Sequence, residues 1–154
     1  MRLALYQPDI PQNAGTIMRL AACLGVALDI IEPAGFDASD RNLRRAGLDY
    51  LERLELRRHV SFAAFEEWRR EAGYRLVLAT TRGSIPYAEF AFVRTDILML
   101  GRESAGVPEA VHAAADARVF VPMRPGLRSL NVAVTAAMMV GEALRQTGGF
   151  PSQL

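Results

Sequence analysis

The amino-acid sequence predicts an α/β domain with a mostly parallel sheet covered by helices on both faces. Three observations carry that expectation. Short runs rich in Leu, Val and Ile alternate along the whole chain with longer amphipathic stretches, the pattern of strand–helix–strand units. Glycines such as Gly25 and Gly73 stand where those amphipathic stretches stop. With 154 residues and 51% apolar composition, the chain is read as one domain over residues 1–154, able to bury a core unaided.

The elements follow in order. Leu3–Tyr6 reads as a short buried strand ended by Pro8, and Asn13 is placed to cap a helix running to Leu24, with Gly25 as its stop. Ala27–Ile31 is the next strand. A loop with Pro33 and Gly35 leads into an arginine-rich helix over Ser39–Ala46, closed by Gly47. Leu56–Val60 reads as a short extended segment. Ser61 caps a helix to Ala72, and Gly73 ends it. Arg75–Thr80 and Asp96–Leu100 are strands, Pro108–Ala115 a short helix and Arg118–Val121 a strand. Ser129 is expected to open the last helix, which runs to Gln146. From Leu130 to Leu144 that helix is apolar all round, so it must be buried on more than one side. In a domain this small, one side is expected to meet a second copy of the chain, with Ala133, Ala136, Ala137 and Gly141 permitting close approach. A homodimer through the C-terminal helix follows.

Composition narrows the classes of function. Cys23 is the lone cysteine, so neither a disulfide framework nor a cysteine-based zinc site is expected, and a reducing cytoplasm fits. No apolar run approaches the ~18 residues of a membrane span, and no signal-peptide pattern precedes the first strand. Net charge is only +1, which by itself points to no nucleic acid. All 18 basic residues are nevertheless arginine, gathered at Arg41, Arg44 and Arg45, at Arg53, Arg57 and Arg58, and at Arg124 and Arg128. On a helix, positions 41, 44 and 45 share a face. Arginine's planar fork of donors suits phosphate, although such a face is commonly just solvated.

Ligands of parallel sheets gather at the carboxyl ends of strands, where the loops after Thr80, Leu100 and Val121 leave. Gly101-Arg102-Glu103-Ser104-Ala105-Gly106-Val107-Pro108 lacks the Lys-Ser/Thr of a phosphate loop. Arg102 breaks a Gly-x-Ser-x-Gly elbow. What remains is a turn able to approach a ligand by its backbone, with Glu103 as an orienter. The loop from Val121 to Val132 is rich in Pro, Gly and Arg and feeds a helix start. On the first helix, Arg19 lies opposite the apolar stripe of Ile17, Leu20, Ala21 and Leu24, at ~100° per residue. No paired carboxylates, clustered histidines or Ser/His/Asp spacing stand out, and His59 and His112 are isolated. The Gly-x-Gly-x-x-Gly of nicotinamide and flavin sites is also missing after the first strand.

In order, Asn13-x-Gly15-x-x-x-Arg19, Gly101-x-Glu103-x-x-Gly106-x-Pro108 and Val121-Pro122-Met123…Ser129-Leu130-Asn131-Val132 resemble the three motifs of the trefoil-knotted SPOUT RNA methyltransferases. Gln7-Pro8-x-Ile10-Pro11-Gln12-Asn13, Ile31-Glu32-Pro33-x-Gly35-Phe36, Leu43–Tyr50 and Thr80-Thr81-Arg82-Gly83 are similar to its minimal single-domain branch, so the likeness spans the chain. The resemblance implies an α/β knot and S-adenosylmethionine as cofactor, held by Ala79, Thr80, Gly101, Val121, Pro122, Met123, Ser129 and Leu130. It implies methylation of the ribose 2′-hydroxyl of the tRNA wobble nucleotide, cytidine or uridine, in the anticodon region. Another tRNA position, ribosomal RNA, and a knotted RNA-binding protein without catalysis are the alternatives. Arg19 takes the central catalytic role, with Asn13, Glu103, Ser129 and Asn131 in support. A guanidinium keeps its proton, so holding a phosphate and the 2′-oxygen suits its chemistry. Arg19, Arg41, Arg44, Arg45 and Arg128 are the candidates for binding RNA. Ala133-Val134 and Gly141 depart from residues common in the wobble-modifying branch.

Overall fold

In the computed structural model, which describes residues 1–36, 41 and 48–153, the alternating runs assemble into one parallel sheet. Its strands are β1 (Arg2–Tyr6), β2 (Ala27–Ile31), β3 (Leu56–His59), β4 (Arg75–Ala79), β5 (Ile85–Pro86), β6 (Asp96–Leu100) and β7 (Ala117–Phe120). The order across the seven-stranded sheet is β3-β2-β1-β6-β4-β7-β5, and every pairing is parallel. The helices are α1 (Pro11–Leu24), α2 (Phe62–Ala72), α3 (Glu109–Ala114) and α4 (Val132–Thr147).

The period of two along each strand divides the core between the faces. Leu3, Leu5, Leu28, Ile30, Leu98 and Leu100 pack with Ile17 and Ala21 of α1 and Ala136, Met139 and Val140 of α4. Ala4, Tyr6, Ile31, Ile97 and Met99 point the other way, onto Phe65 of α2 and Val111 of α3. Each large side chain so buried contributes about 1.5–3 kcal/mol.

Ser61 caps α2 as its position predicts, its hydroxyl accepting from Ala64 N at 3.1 Å. Gly25 and Gly73 both adopt left-handed φ at helix ends. Two helix starts differ from expectation. Helix α1 begins at Pro11 with Ile10 in the cap position, so Asn13 lies within the first turn and caps nothing. Proline needs no partner for a missing N–H there and presets φ, which makes a side-chain cap dispensable. Helix α4 begins at Val132, not Ser129, because the Asn131 carboxamide oxygen accepts from Ala133 N and Val134 N at 2.8 and 3.3 Å. Ser129 therefore belongs to the loop. The short edge strand β5 was not expected; its Pro86 is tolerated beside a single neighbour. The arginine-rich helix over 39–46 lies outside the described residues apart from Arg41, which is exposed.

Candidate active site

Strands β6, β4 and β7 are neighbours in the sheet, so the loops leaving their carboxyl ends converge although they are far apart in sequence. They enclose a cleft of about 720 Å³, with the start of α1 as one wall and the first turns of α4 as another. That volume is in the range of small-molecule sites.

Of the residues expected to hold a cofactor, Ala79, Thr80, Gly101, Val121, Met123, Ser129 and Leu130 line the cleft. Pro122 stands exposed in the same loop without lining it. Asn13, Glu103, Arg128 and Asn131 also line the cleft, as do Ile10, Arg82, His112 and Thr135, which sequence reasoning did not single out. Arg19 does not. It is exposed on α1, its guanidinium 4.7 Å above the Tyr50 ring and its Nη2 donating to the Tyr50 hydroxyl at 3.2 Å. Arg41 lies away from the cleft lining, and Arg44 and Arg45 fall outside the described residues.

The local geometry explains the residue types. Arg102 N donates to Gly106 O at 3.0 Å and Gly106 N to Arg102 O at 2.8 Å, which closes the 101–106 loop on itself. A Cβ on Gly101 would stand 2.9 Å from the Gly106 backbone, and Gly106 has a φ of +64°, so both positions require glycine. Released from capping, Asn13 accepts from Asn131 Nδ2 at 3.1 Å. This bond ties the first motif to the third, and the same Asn131 side chain caps α4 with its oxygen.

Glu103 does not project freely into the cleft. It accepts from Asp9 N at 3.2 Å, and its own N donates to Asp9 Oδ1 at 3.2 Å. Burial, and next the neighbouring Asp9 carboxyl, raise the Glu103 pKa above the usual carboxylate range. Hydrogen bonding from Glu103, aided by the Ser104 hydroxyl, holds Asp9 down to about 2. Paired carboxylates are thus present after all. The residues lie 94 positions apart, and no local spacing signals the pair. His112 is pushed below its ordinary value by burial and then by the Arg82 charge.

His59 takes no part here; its Nε2 lies 2.7 Å from Asp29 Oδ1 in the buried half of the sheet. Among the described residues no three His, Cys, Asp or Glu side chains gather to hold a metal ion. No described helix is long and apolar enough to cross a membrane.

The cleft fits a ligand with both polar and apolar parts. Val121, Met123, Leu130 and Ile10 offer apolar cover, while Asn13, Thr80, Ser129 and Asn131 bring polar groups to the lining. Comparison with known proteins points the same way. The SpoU rRNA methylase family model matches residues 1–141. A tRNA (cytidine(34)-2′-O)-methyltransferase of Ancylobacter novellus is 65% identical over 150 residues, covering 97% of this chain and 95% of the relative. A solved structure concerned with 2-OH methylation of C/U34 on tRNA is 46% identical with a TM-score of 0.88, covering 94% of each chain. The SpoU methyltransferase AviRb of Streptomyces viridochromogenes, in complex with the cofactor AdoMet, is 31% identical with a TM-score of 0.85. It covers 95% of this chain and 60% of its own.

Proposed function

Since the chain belongs to the SpoU rRNA methylase family, we propose that it methylates the ribose 2′-hydroxyl of nucleotide 34 of tRNA with S-adenosylmethionine as donor. The observation that carries this reading is the 65% identity, over 97% of the chain, to an enzyme of that specificity. The SPOUT fold of the family provides the frame, and the cleft at the ends of β6, β4 and β7 is the cofactor site.

When bound, S-adenosylmethionine would supply an electrophilic sulfonium methyl group, with S-adenosylhomocysteine as the leaving group and the 2′-hydroxyl proton released to solvent. Ala79, Thr80 and Gly101 approach the cofactor by backbone, and Val121, Met123 and Leu130 cover its apolar parts. Ser129, Asn13 and Asn131 fix the loop walls, and Arg128 at the rim attracts RNA phosphate. Arg19 holds the 2′-oxygen and the adjacent phosphate. A guanidinium remains charged at working pH, so its contribution is alignment and electrostatic stabilisation, not proton removal.

Arg19 is outside the cleft of its own chain, and Val134 and Met138 leave apolar surface exposed along α4 near Leu130. We read these facts together as a homodimer joined through α4, with Arg19 acting at a composite site. A chain of this size offers little surface to a tRNA, which favours the same arrangement. The substrate fits a cytoplasmic enzyme.

The test is methylation of total tRNA and, separately, of ribosomal RNA from a strain lacking the protein, using labelled cofactor and mapping the product by mass spectrometry. A 2′-O-methyl group at position 34 is expected. A methyl group at another position or in ribosomal RNA alone would overturn the assignment.

A further inference from the structure

The contacts of Asp9 reach beyond any role assigned above. Gln7, where the chain leaves β1, has a φ of 44°, an uncommon left-handed conformation for a side chain of its size. Beyond that bend, Asp9 meets the 101–106 loop through several contacts. Its N donates to Glu103 Oε2, its Oδ1 accepts from Glu103 N, and its Oδ2 accepts from the Ser104 hydroxyl. Arg102 Nε stands 3.7 Å from the same Oδ2. Gly35 backs this arrangement, since a Cβ there would lie 2.6 Å from the Asp9 Cβ. Ile10, the next residue in the chain, lines the cleft together with Gly101 and Glu103.

We propose that Asp9 is a positioning residue of the cofactor site, clasping the 101–106 loop to the β1–α1 turn and so fixing the wall that Ile10, Gly101 and Glu103 present to the ligand. The proposal rests on reading the cleft as the S-adenosylmethionine site. The reciprocal backbone-to-carboxylate bonds set both spacing and orientation, which one ion pair would not. Burial raises the Glu103 carboxyl above its ordinary value, and the contacts with Glu103 and Ser104 hold Asp9 down to about 2. Among the described residues, Arg102 is the charged side chain facing the pair, and the Gly35 turn contributes backbone.

The sign of the pH effect follows. The Glu103 contribution is complete below the ordinary glutamate pKa and is lost as pH rises through its raised value. The Asp9 contribution is complete above the ordinary aspartate pKa and is lost only as pH falls through about 2. The clasp therefore loosens as pH rises through the raised Glu103 value.

Calorimetry of S-adenosylhomocysteine binding, from mildly acidic to alkaline buffer, tests the idea on the full chain. Asp9→Ala is expected to weaken binding about tenfold, the scale of a lost hydrogen bond to a charged group. Asp9→Asn still accepts from Glu103 N through its carboxamide oxygen and turns its Nδ2 to the Ser104 oxygen as a donor, so it should recover most of that loss and lessen the wild type's decline as pH rises. Asp9→Ala binding as tightly as the wild type, or Asp9→Asn behaving like Asp9→Ala, would overturn the clasp. If Asp9→Ala fails to fold, Ser104→Ala carries the test. A loss of about two- to threefold supports the clasp, and unchanged affinity overturns it. A wild-type protein that binds no S-adenosylhomocysteine would overturn the cofactor reading as well, so the two failures are distinguishable.

Discussion

In the half of the sheet formed by β1–β3, polar side chains are turned onto one another, whereas at the carboxyl ends of β6, β4 and β7 they border an open cleft. Asp29, with no exposed surface, accepts from Arg2 Nε and sits against His59 Nε2, each at 2.7 Å. Arg2 also donates to Glu55 at 2.7 Å, and its guanidinium lies 5.2 Å from the centroid of the Trp68 ring. Around the cleft, by contrast, Arg128, Ser129 and Leu130 are exposed, and the closing contacts are loop-to-loop bonds such as Asn131 to Asn13. One half of the sheet holds the fold together; the other keeps its backbone and side chains available to ligands.

The sharpest way to break that comparison is to damage each half separately. Asp29→Ala leaves the buried Arg2 Nε and His59 Nε2 without their shared partner and should cost about 3–5 kcal/mol of stability. Chemical denaturation reads the loss, and methylation per folded molecule should stay near the wild-type value. Arg19→Ala should do the reverse, lowering methylation by about 10²–10³-fold with an unchanged denaturation midpoint. If Arg19→Ala keeps full activity, its catalytic role is wrong. Intermediate in size is Gly101→Ala. Its Cβ would collide with the Gly106 backbone, so the loop must shift and S-adenosylhomocysteine affinity should fall about tenfold or more.

Local and long-range features of the molecule differ in how legible they are in the sequence. Strand and helix order follows from hydrophobic alternation and from glycine stops, because those signals are local and β2, α2 and β6 begin and end where the pattern says. The convergence of the three ligand-bearing loops depends on β6, β4 and β7 being neighbours, which no local pattern encodes. Its legibility came from the family motifs instead. The Asp9–Glu103 pair and the Arg19–Tyr50 stack are contacts between residues far apart in the chain, and neither partner looks unusual in its own segment. Helix starts were misread where two capping signals competed. Ser129 and Asn131 are both good caps, and the choice between them is made by which side chain reaches the free N–H groups.

That competition supplies the smallest and most discriminating test. Ser61 and Asn131 both cap helices with a side-chain oxygen, so replacing either by alanine should cost about 1 kcal/mol of stability. Ser61 lies outside the cleft lining, and Ser61→Ala should leave both cofactor affinity and methylation untouched. Asn131 lines the cleft and also donates to Asn13, so Asn131→Ala removes the link between two motif segments along with the cap. Equal melting shifts with unequal losses of S-adenosylhomocysteine binding would separate the structural task of a cap from the binding task of the same side chain. Equal losses of both would mean that the cleft tolerates movement of the α4 start, and that the division between the two halves of the sheet is less strict than their polar contacts imply.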